Sequence, residues 1–454
     1  MKKLLISSIA VGMLFATPSI DDLQNQINDL QTKLKTLQKK QSNTASSLQK
    51  VKQTHYEDHI NFHFDMRSSI DKINYKMKSG KKYNNTILSN KVELTGLAKV
   101  DDNLKATLKL EANNIFGMND ANNPYDNQNS FANETPDDTN LRVKEAFFNY
   151  FFGEDGQYMF SAGRRPAVGG YPANMREGDV PTSPVAHLVN MEFDGFSLWL
   201  KSDAMGSFGE DYGTNIKFCF GRGYSSNKGK FSTDGSPAYS KTDLDSNDMG
   251  GFLLIPYNDD QYSIWWENIW SWHVQGMIDT DNDNKPDTKK DVGSFFGSNI
   301  IFKADGVGEE ISDFLDDTKA FVSLAYTKTN PNSNGMLGST DSKMGYSVWL
   351  GADMPFGEDG DRMGINVVHG SKYYRAMTYG EDTLAGSIAA VRGTAIDAYY
   401  NHTLTEHLTT SIRATYLNYS DAGSEAFFGD GGNPDQKDYV EKATDIRAYI
   451  RYNF

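Results

Sequence analysis

Hydrophobic and polar positions follow three successive periodicities along the chain. From Met1 to Ala16 two lysines precede an apolar run of about a dozen residues, too short to cross a bilayer and stay there, which predicts an export signal over 1–19. Leu14 falls at the −3 position of a cut after Ala16 and Pro18 crowds a cut after Ser19, so the cleavage point stays open. Leu23, Ile27, Leu30, Leu34, Leu37, Gln41, Thr44, Leu48 and Val51 then recur at alternating spacings of four and three. This seam predicts a coiled coil of about four heptads within 20–56. Its Gln, Asn, Lys and Asp flanks are too polar to dock into a core elsewhere, so burying the seam implies self-association; the other reading is a lone amphipathic helix on the following domain.

From about His59 onward the period falls to 2. Ile60, Phe62, Phe64 and Met66 share one face against Asn61, His63, Asp65 and Arg67, and Leu104, Ala106, Leu108 and Leu110 oppose Lys105, Thr107, Lys109 and Glu111. Segments of about ten such residues, separated by Gly, Asp and Asn turns, recur at 215–224, 320–328, 346–354, 365–371, 394–404, 408–419 and 446–454. The polar faces carry many charges for a packed core. The expected fold is an all-β transmembrane antiparallel barrel over 57–454 of about sixteen strands, with eighteen as the alternative because 249–277 has room for one more turn.

Composition narrows the function classes. There are 45 basic against 60 acidic side chains, a net charge of −15, which argues against nucleic acid as a partner. After residue 20 no run approaches the ~18 apolar residues of a spanning helix. Forty Gly and 24 Tyr against 13 Pro suit a turn-rich β protein, and one cysteine excludes a disulfide framework. No Ser-His-Asp order, His pair or phosphate loop points to an enzyme.

The last strand places Ile446, Ala448, Ile450, Tyr452 and Phe454 on one face, and the sequence ends on that phenylalanine. It resembles the C-terminal signal of bacterial outer-membrane proteins, with Tyr452 and Phe454 as the membrane-insertion residues read by the barrel-assembly machinery. With the export signal, the coiled coil and the stretch GRRPAVGGYPANMREG at 163–178, the chain resembles a largely uncharacterised porin-like family of Gram-negative outer membranes. The resemblance implies a homotrimer among outer-membrane lipids, coiled coils in the periplasm, and passive diffusion of ions or small polar solutes. The rival is a structural tether, with the barrel as anchor and the coiled coil reaching toward the cell wall.

Residues 163–184 hold four Pro and no alternation, long for a barrel turn. Folded into the lumen as porin loops are, Arg164, Arg165 and Arg176 beside Glu177 and Asp179 would set a transverse field at a constriction; the alternative keeps these residues in an extracellular loop. Parity alone turns Arg142, Lys144, Arg222, Arg413, Arg447 and Arg451 inward, while acidic stretches at 120–138, 234–248 and 421–438 should draw cations to the mouths. Trp265, Trp266, Trp270 and Trp272, with Tyr373, Tyr374, Tyr399 and Tyr400, read as interface belts, and Cys219 as structural.

No cofactor is implied other than calcium. In DTDNDNKPD, Asp279, Asp281, Asp283 and Asp287 stand at positions 1, 3, 5 and 9 with the Lys285 carbonyl at 7, a spacing at which oxygen ligands wrap one calcium ion. Asn284 replaces the usual glycine and no glutamate stands at position 12, so a solvated acidic loop is the other reading. Calcium titration of the intact protein separates them: heat release with thermal stabilisation marks a site, and silence in both eliminates it.

Overall fold

The computed structural model describes residues 60–99, 101–116, 141–225, 246–278, 288–308, 311–357, 360–379, 381–423 and 432–454. The expected export signal, the coiled coil and the Asp279 to Asp287 stretch lie outside them.

The strands are β1 (Ile60–Met77), β2 (Lys82–Lys99), β3 (Leu104–Ile115), β4 (Arg142–Phe152), β5 (Tyr158–Arg165), β6 (Phe193–Leu200), β7 (Asn215–Ser225), β8 (Ser246–Asn258) and β9 (Tyr262–Trp272). There follow β10 (Gln275–Ile278), β11 (Thr288–Asp291), β12 (Gly293–Asp305), β13 (Lys319–Pro331), β14 (Met344–Pro355), β15 (Arg362–Gly370), β16 (Gly393–Thr405), β17 (Leu408–Tyr419) and β18 (Val440–Asn453). Sixteen of them form one closed antiparallel barrel, sealed where β1 pairs with β18, and β10 with β11 makes a separate two-stranded sheet between β9 and β12. The 249–277 stretch that had room for one more turn holds β8, β9 and the start of β10, and because β10 pairs with β11 apart from the barrel, the wall keeps sixteen strands rather than eighteen.

Alternation decides which face is which. On β1, Ile60, Phe62, Met66 and Ile70 are exposed while Arg67, Ser69, Asp71 and Ile73 are buried, and the same apolar-out pattern runs through Leu88, Leu94, Leu108, Phe196, Phe218, Leu324, Ile365, Ile412 and Ile450. An apolar surface this continuous belongs against hydrocarbon, and a closed barrel leaves no unpaired edge there. Connections 78–81, 116–141, 166–192, 226–245, 273–292, 332–343, 371–392 and 420–439 leave from one end. At the other end lie 100–103, 153–157, 201–214, 259–261, 306–318, 356–361 and 406–407, together with Ile60 and Asn453.

Sixteen strands enclose a space too wide for wall side chains to fill. Part of it is an apolar core in which Tyr171, Met175, Val185 and Ile388 from the connections pack on Leu253, Ile301, Phe321, Trp349, Val368 and Leu417 from the wall. Trp349 is 0% exposed; its ring meets Phe321 and His187 edge-on, and its indole N–H donates to Asn366 Oδ1 at 2.9 Å. Trp349→Ala should cost about 3–5 kcal/mol through cavity formation and the orphaned Asn366. Urea unfolding of the barrel in lipid vesicles measures this, and an unchanged midpoint would contradict the packing described.

Candidate functional site

Among the described residues, two long connections are drawn into the barrel because of what they are made of. Residues 166–192 carry Ala167, Tyr171, Met175, Val185, Ala186, Leu188, Val189 and Met191, all buried, an apolar content that a water-exposed loop would leave uncovered. The 371–392 connection likewise buries Tyr374, Ala385, Ile388 and Val391. They meet each other through a parallel bridge between Val189 and Met377, with Asn190 N–H donating to Met377 O at 2.7 Å and Met377 N–H to Leu188 O at 2.9 Å. Glycine permits two close approaches. A Cβ on Gly170 would lie 1.9 Å from Pro184 O, and one on Gly345 would lie 2.3 Å from Tyr374 N.

His187 joins the first connection to the wall. Its ring is 0% exposed, with Nδ1 at 2.8 Å from Ser323 Oγ and Nε2 at 2.9 Å from Ser347 Oγ. Burial pushes its pKa down to about 3, so the imidazole is neutral and one nitrogen donates while the other accepts. The Tyr374 hydroxyl donates to His187 O at 2.7 Å, and the Tyr399 hydroxyl lies between Met175 O at 3.0 Å and Asp353 Oδ2 at 2.7 Å. Tyr374 and Tyr399 are thus loop anchors, and Trp265, 5.8 Å from Tyr171, also faces inward; of the expected belt, Trp266, Trp270 and Trp272 are on the outer face.

Arginines grip the acidic side of both connections. Arg67 Nη1 binds Glu177 Oε1 at 2.6 Å and also the Asp382 carboxylate; Arg451 reaches Glu177 at 3.2 Å, Asp179 at 2.9 Å and Asp65; Arg447 reaches Asp71 at 2.6 Å and Asp382 at 2.8 Å. Arg67 lies opposite Arg451 in the β1–β18 register and Arg447 opposite Arg413 in β17–β18, so the wall carries a basic patch neutralised by the loop carboxylates together with Asp65, Asp71 and Asp397 of the wall itself. Arg176 turns the other way, to Glu381 at 2.6 Å and Asp397 at 3.5 Å.

The expected constriction set is therefore divided. Glu177 and Asp179 meet on Arg451, but Arg176 does not face them. Arg164 is corrected outright: β5 continues through Arg165, so Arg164 shares the outward parity of Phe160 and pairs with Asp194 at 2.8 Å outside the barrel. Arg165 points inward and is 3% exposed, but its guanidinium lies by Cys219 Sγ, 3.9 Å away, on another part of the wall. Arg222 is also corrected, because it shares the outer face of Phe218 and Phe220 and pairs with Asp248 at 2.6 Å. Lys144, Arg413, Arg447 and Arg451 face inward as parity predicts.

A second charged surface covers β2–β4. Lys91 lies 3.1 Å from Glu93, Lys109 3.5 Å from Glu93 and 3.1 Å from Glu145, and Lys144 3.5 Å from Glu111 and 3.3 Å from Glu192. A bulge between β3 and β4 turns the consecutive Lys144 and Glu145 to the same side. Between this lattice, the arginine patch and the loop face of 168–182 lies a cavity of about 770 Å³, lined by seven basic and eight acidic side chains besides two histidines. Among the described residues no group of three or more His, Cys, Asp or Glu could hold a metal.

Residues 81–454 match the family described as "Protein of unknown function (DUF3373)". The chain belongs to this family. No curated protein matches it. Solved structures similar to this DUF3373 protein include an "Anion-selective porin from Comamonas acidovorans" at 13% identity, covering 87% of this chain and 99% of that one with a TM-score of 0.48. "High pH structure of Pseudomonas putida OprB" follows at 11% identity, 88% and 96% coverage and a TM-score of 0.49. "Salmonella typhi OmpF complex with Daunomycin" is similar at 13% identity, 87% and 97% coverage and a TM-score of 0.47.

In the DUF3373 chain, sequence reasoning missed Arg67, Asp382 and the β2–β4 lattice as parts of one site. The lattice did have a signal in the Lys-x-Glu alternation of Lys91/Glu93 and Lys109/Glu111 on the face opposite the leucines. Glu177 and Asp382 sit in connections, outside the spanning strands. Burial pushes both carboxyls up, but for Glu177 the Arg67 and Arg451 guanidiniums, and for Asp382 those of Arg67 and Arg447, hold them below the usual range. A carboxyl depressed on folding stabilises above its unfolded pKa and loses that contribution as pH falls through its folded one. Acidification below the ordinary carboxylate range should therefore loosen both connections. Arg67→Gln should do so at neutral pH at a cost of about 2–5 kcal/mol, against less than about 1 for Arg164→Gln, whose partner Asp194 is exposed. Limited proteolysis across pH reads this, and equal resistance of the two variants would refute the clamp.

Proposed function

We propose that this protein is an outer-membrane channel through which ions or small polar solutes diffuse passively. The observation that supports the reading is the cavity of about 770 Å³, lined by charges of both signs inside a closed barrel whose exterior is apolar. The connections of 20 residues or more all leave from one end, and those at the other have 14 or fewer, which suits an outer-membrane barrel whose first and last strands open toward the periplasm. The heptads within 20–56 favour a homotrimer with its coiled coils in the periplasm, and the outward Tyr452 and Phe454, the latter bonded to Phe64 at the β1–β18 seam, suit an assembly signal. Exported, such a barrel would be handled by the barrel-assembly machinery and would rest among outer-membrane lipids.

One observation favours the tether as a second reading. Two connections fill much of the barrel and are clamped by buried ion pairs, and a barrel that stayed closed would serve mainly as an anchor. Conductance of the native-extracted protein in a planar bilayer under a salt gradient distinguishes them. A channel gives stepwise openings in groups of three with a small reversal potential leaning toward cations, because the lining is nearly balanced and the chain carries −15. A folded barrel that never conducts would leave the anchor.

A further inference from the structure

The cavity has two unlike faces. On the wall, Lys91 and Lys109 alternate with Glu93 and Glu145 across neighbouring strands about 4.8 Å apart, with N–O separations of 3.1–3.5 Å. On the loop side stands Asp179, 48% exposed, whose cationic partner Arg451 is shared with Glu177 and Asp65. Resting on the channel reading, we propose that this cavity selects small zwitterionic solutes, carrying an ammonium and a carboxylate a few bonds apart, over neutral or singly charged solutes of the same size.

The reason lies in how the wall is neutralised. Each lattice charge already has a partner of opposite sign within a few ångströms, so the lining has a strong short-range field and little net charge. A lone anion approaching Lys109 meets Glu93 and Glu145 beside it, and a lone cation approaching Asp179 meets Arg451. A solute carrying both charges presents its carboxylate to the lysines and its ammonium to the adjacent glutamates or to Asp179, replacing each wall contact that it opens. A neutral solute gains hydrogen bonds but no charge-assisted ones. The apolar half of the barrel cannot supply this recognition, since its interior is filled by the packed connections.

The test is swelling of vesicles containing the native-extracted protein in isosmotic L-alanine against lactamide, a neutral molecule of nearly the same size and skeleton, with lactate as the anion. Alanine should enter about two to five times faster than lactamide, the ratio that one exposed charge pair supports. The pair change Glu93→Gln with Lys109→Met removes one charge of each sign and should bring the ratio toward one. Asp179→Asn, in a connecting loop where the barrel strands are untouched, should lower it as well. Equal entry of alanine and lactamide through the unaltered protein would overturn zwitterion selection and leave the channel standing. Entry of neither would overturn the channel itself, and a ratio unchanged in both variants would remove the lattice and Asp179 from the recognition.

Discussion

Closing sixteen strands creates an interior that wall side chains cannot fill, and the rest of the structure follows from how that space is occupied. Two connections from non-adjacent strand pairs are drawn in. Their apolar residues cover the inward faces of β8, β12–β15 and β17, while their carboxylates meet arginines on β1 and β18. The interior is thus divided into a packed half and a charged half. The 166–192 connection touches the β2–β4 lattice where Glu192 pairs with Lys144, and the cavity lies over Lys91, Glu93, Lys109 and Glu145 beside it.

Arg67 joins the two connections because it binds Glu177 of one and Asp382 of the other. A buried cation with a single partner would gain little net stability, since desolvating it offsets most of the attraction. Shared among several carboxylates, with Arg447 and Arg451 completing the set, it restricts both connections to positions that satisfy all the pairs at once. The same arrangement changes the electrostatics expected at the constriction. Loop acids and wall arginines touch rather than face each other across water, as the charges of the β2–β4 lattice do, so the cavity is lined by short-range fields of both signs rather than by one transverse field.

Much of the barrel was legible because a strand of period 2 with one lipid-facing side has little freedom of interpretation. Leu408–Tyr419 was bounded to the residue, and the apolar face of Ile446, Ala448 and Ile450 is the outward one. Errors came where the parity of a segment or the extent of a loop was misjudged. Arg222 follows Phe218 and Phe220 at even spacing, so the pattern itself placed it outside. Arg164 was assigned to a loop because 163–184 holds four Pro and no alternation, yet Gly163 pairs with Gly195 and Arg164 with Asp194, which keeps it in the sheet. Long-range partners were beyond reach: nothing local to Arg67 or Arg176 points to Asp382 or Glu381, hundreds of residues away, and the bulge that turns Glu145 inward has no local signature.

The outer face indicates where the bilayer sits relative to this interior. On β5 the outward residues from Tyr158 to Arg164 span only ~20 Å along the strand, less than the ~25 Å apolar band of such barrels. Arg164 with Asp194 and Arg222 with Asp248 form neutral rungs beside Trp272, marking an edge toward the long connections. The shortfall is met at the opposite end, where Phe208 and Tyr212 of the short helix Ser207–Tyr212 stand exposed with rings 5.1 Å apart. The 18-residue strands β1 and β2 overshoot in the other direction, and beyond Ile70 and Leu88 their outward positions turn to Lys72, Asn74, Lys76, Thr86 and Asn84. These boundaries put Lys91, Glu93 and Lys109 at membrane depth. Ionised side chains persist there when they pair with one another and face water, so a lattice of both signs lets the lumen stay charged at that depth without a large net charge.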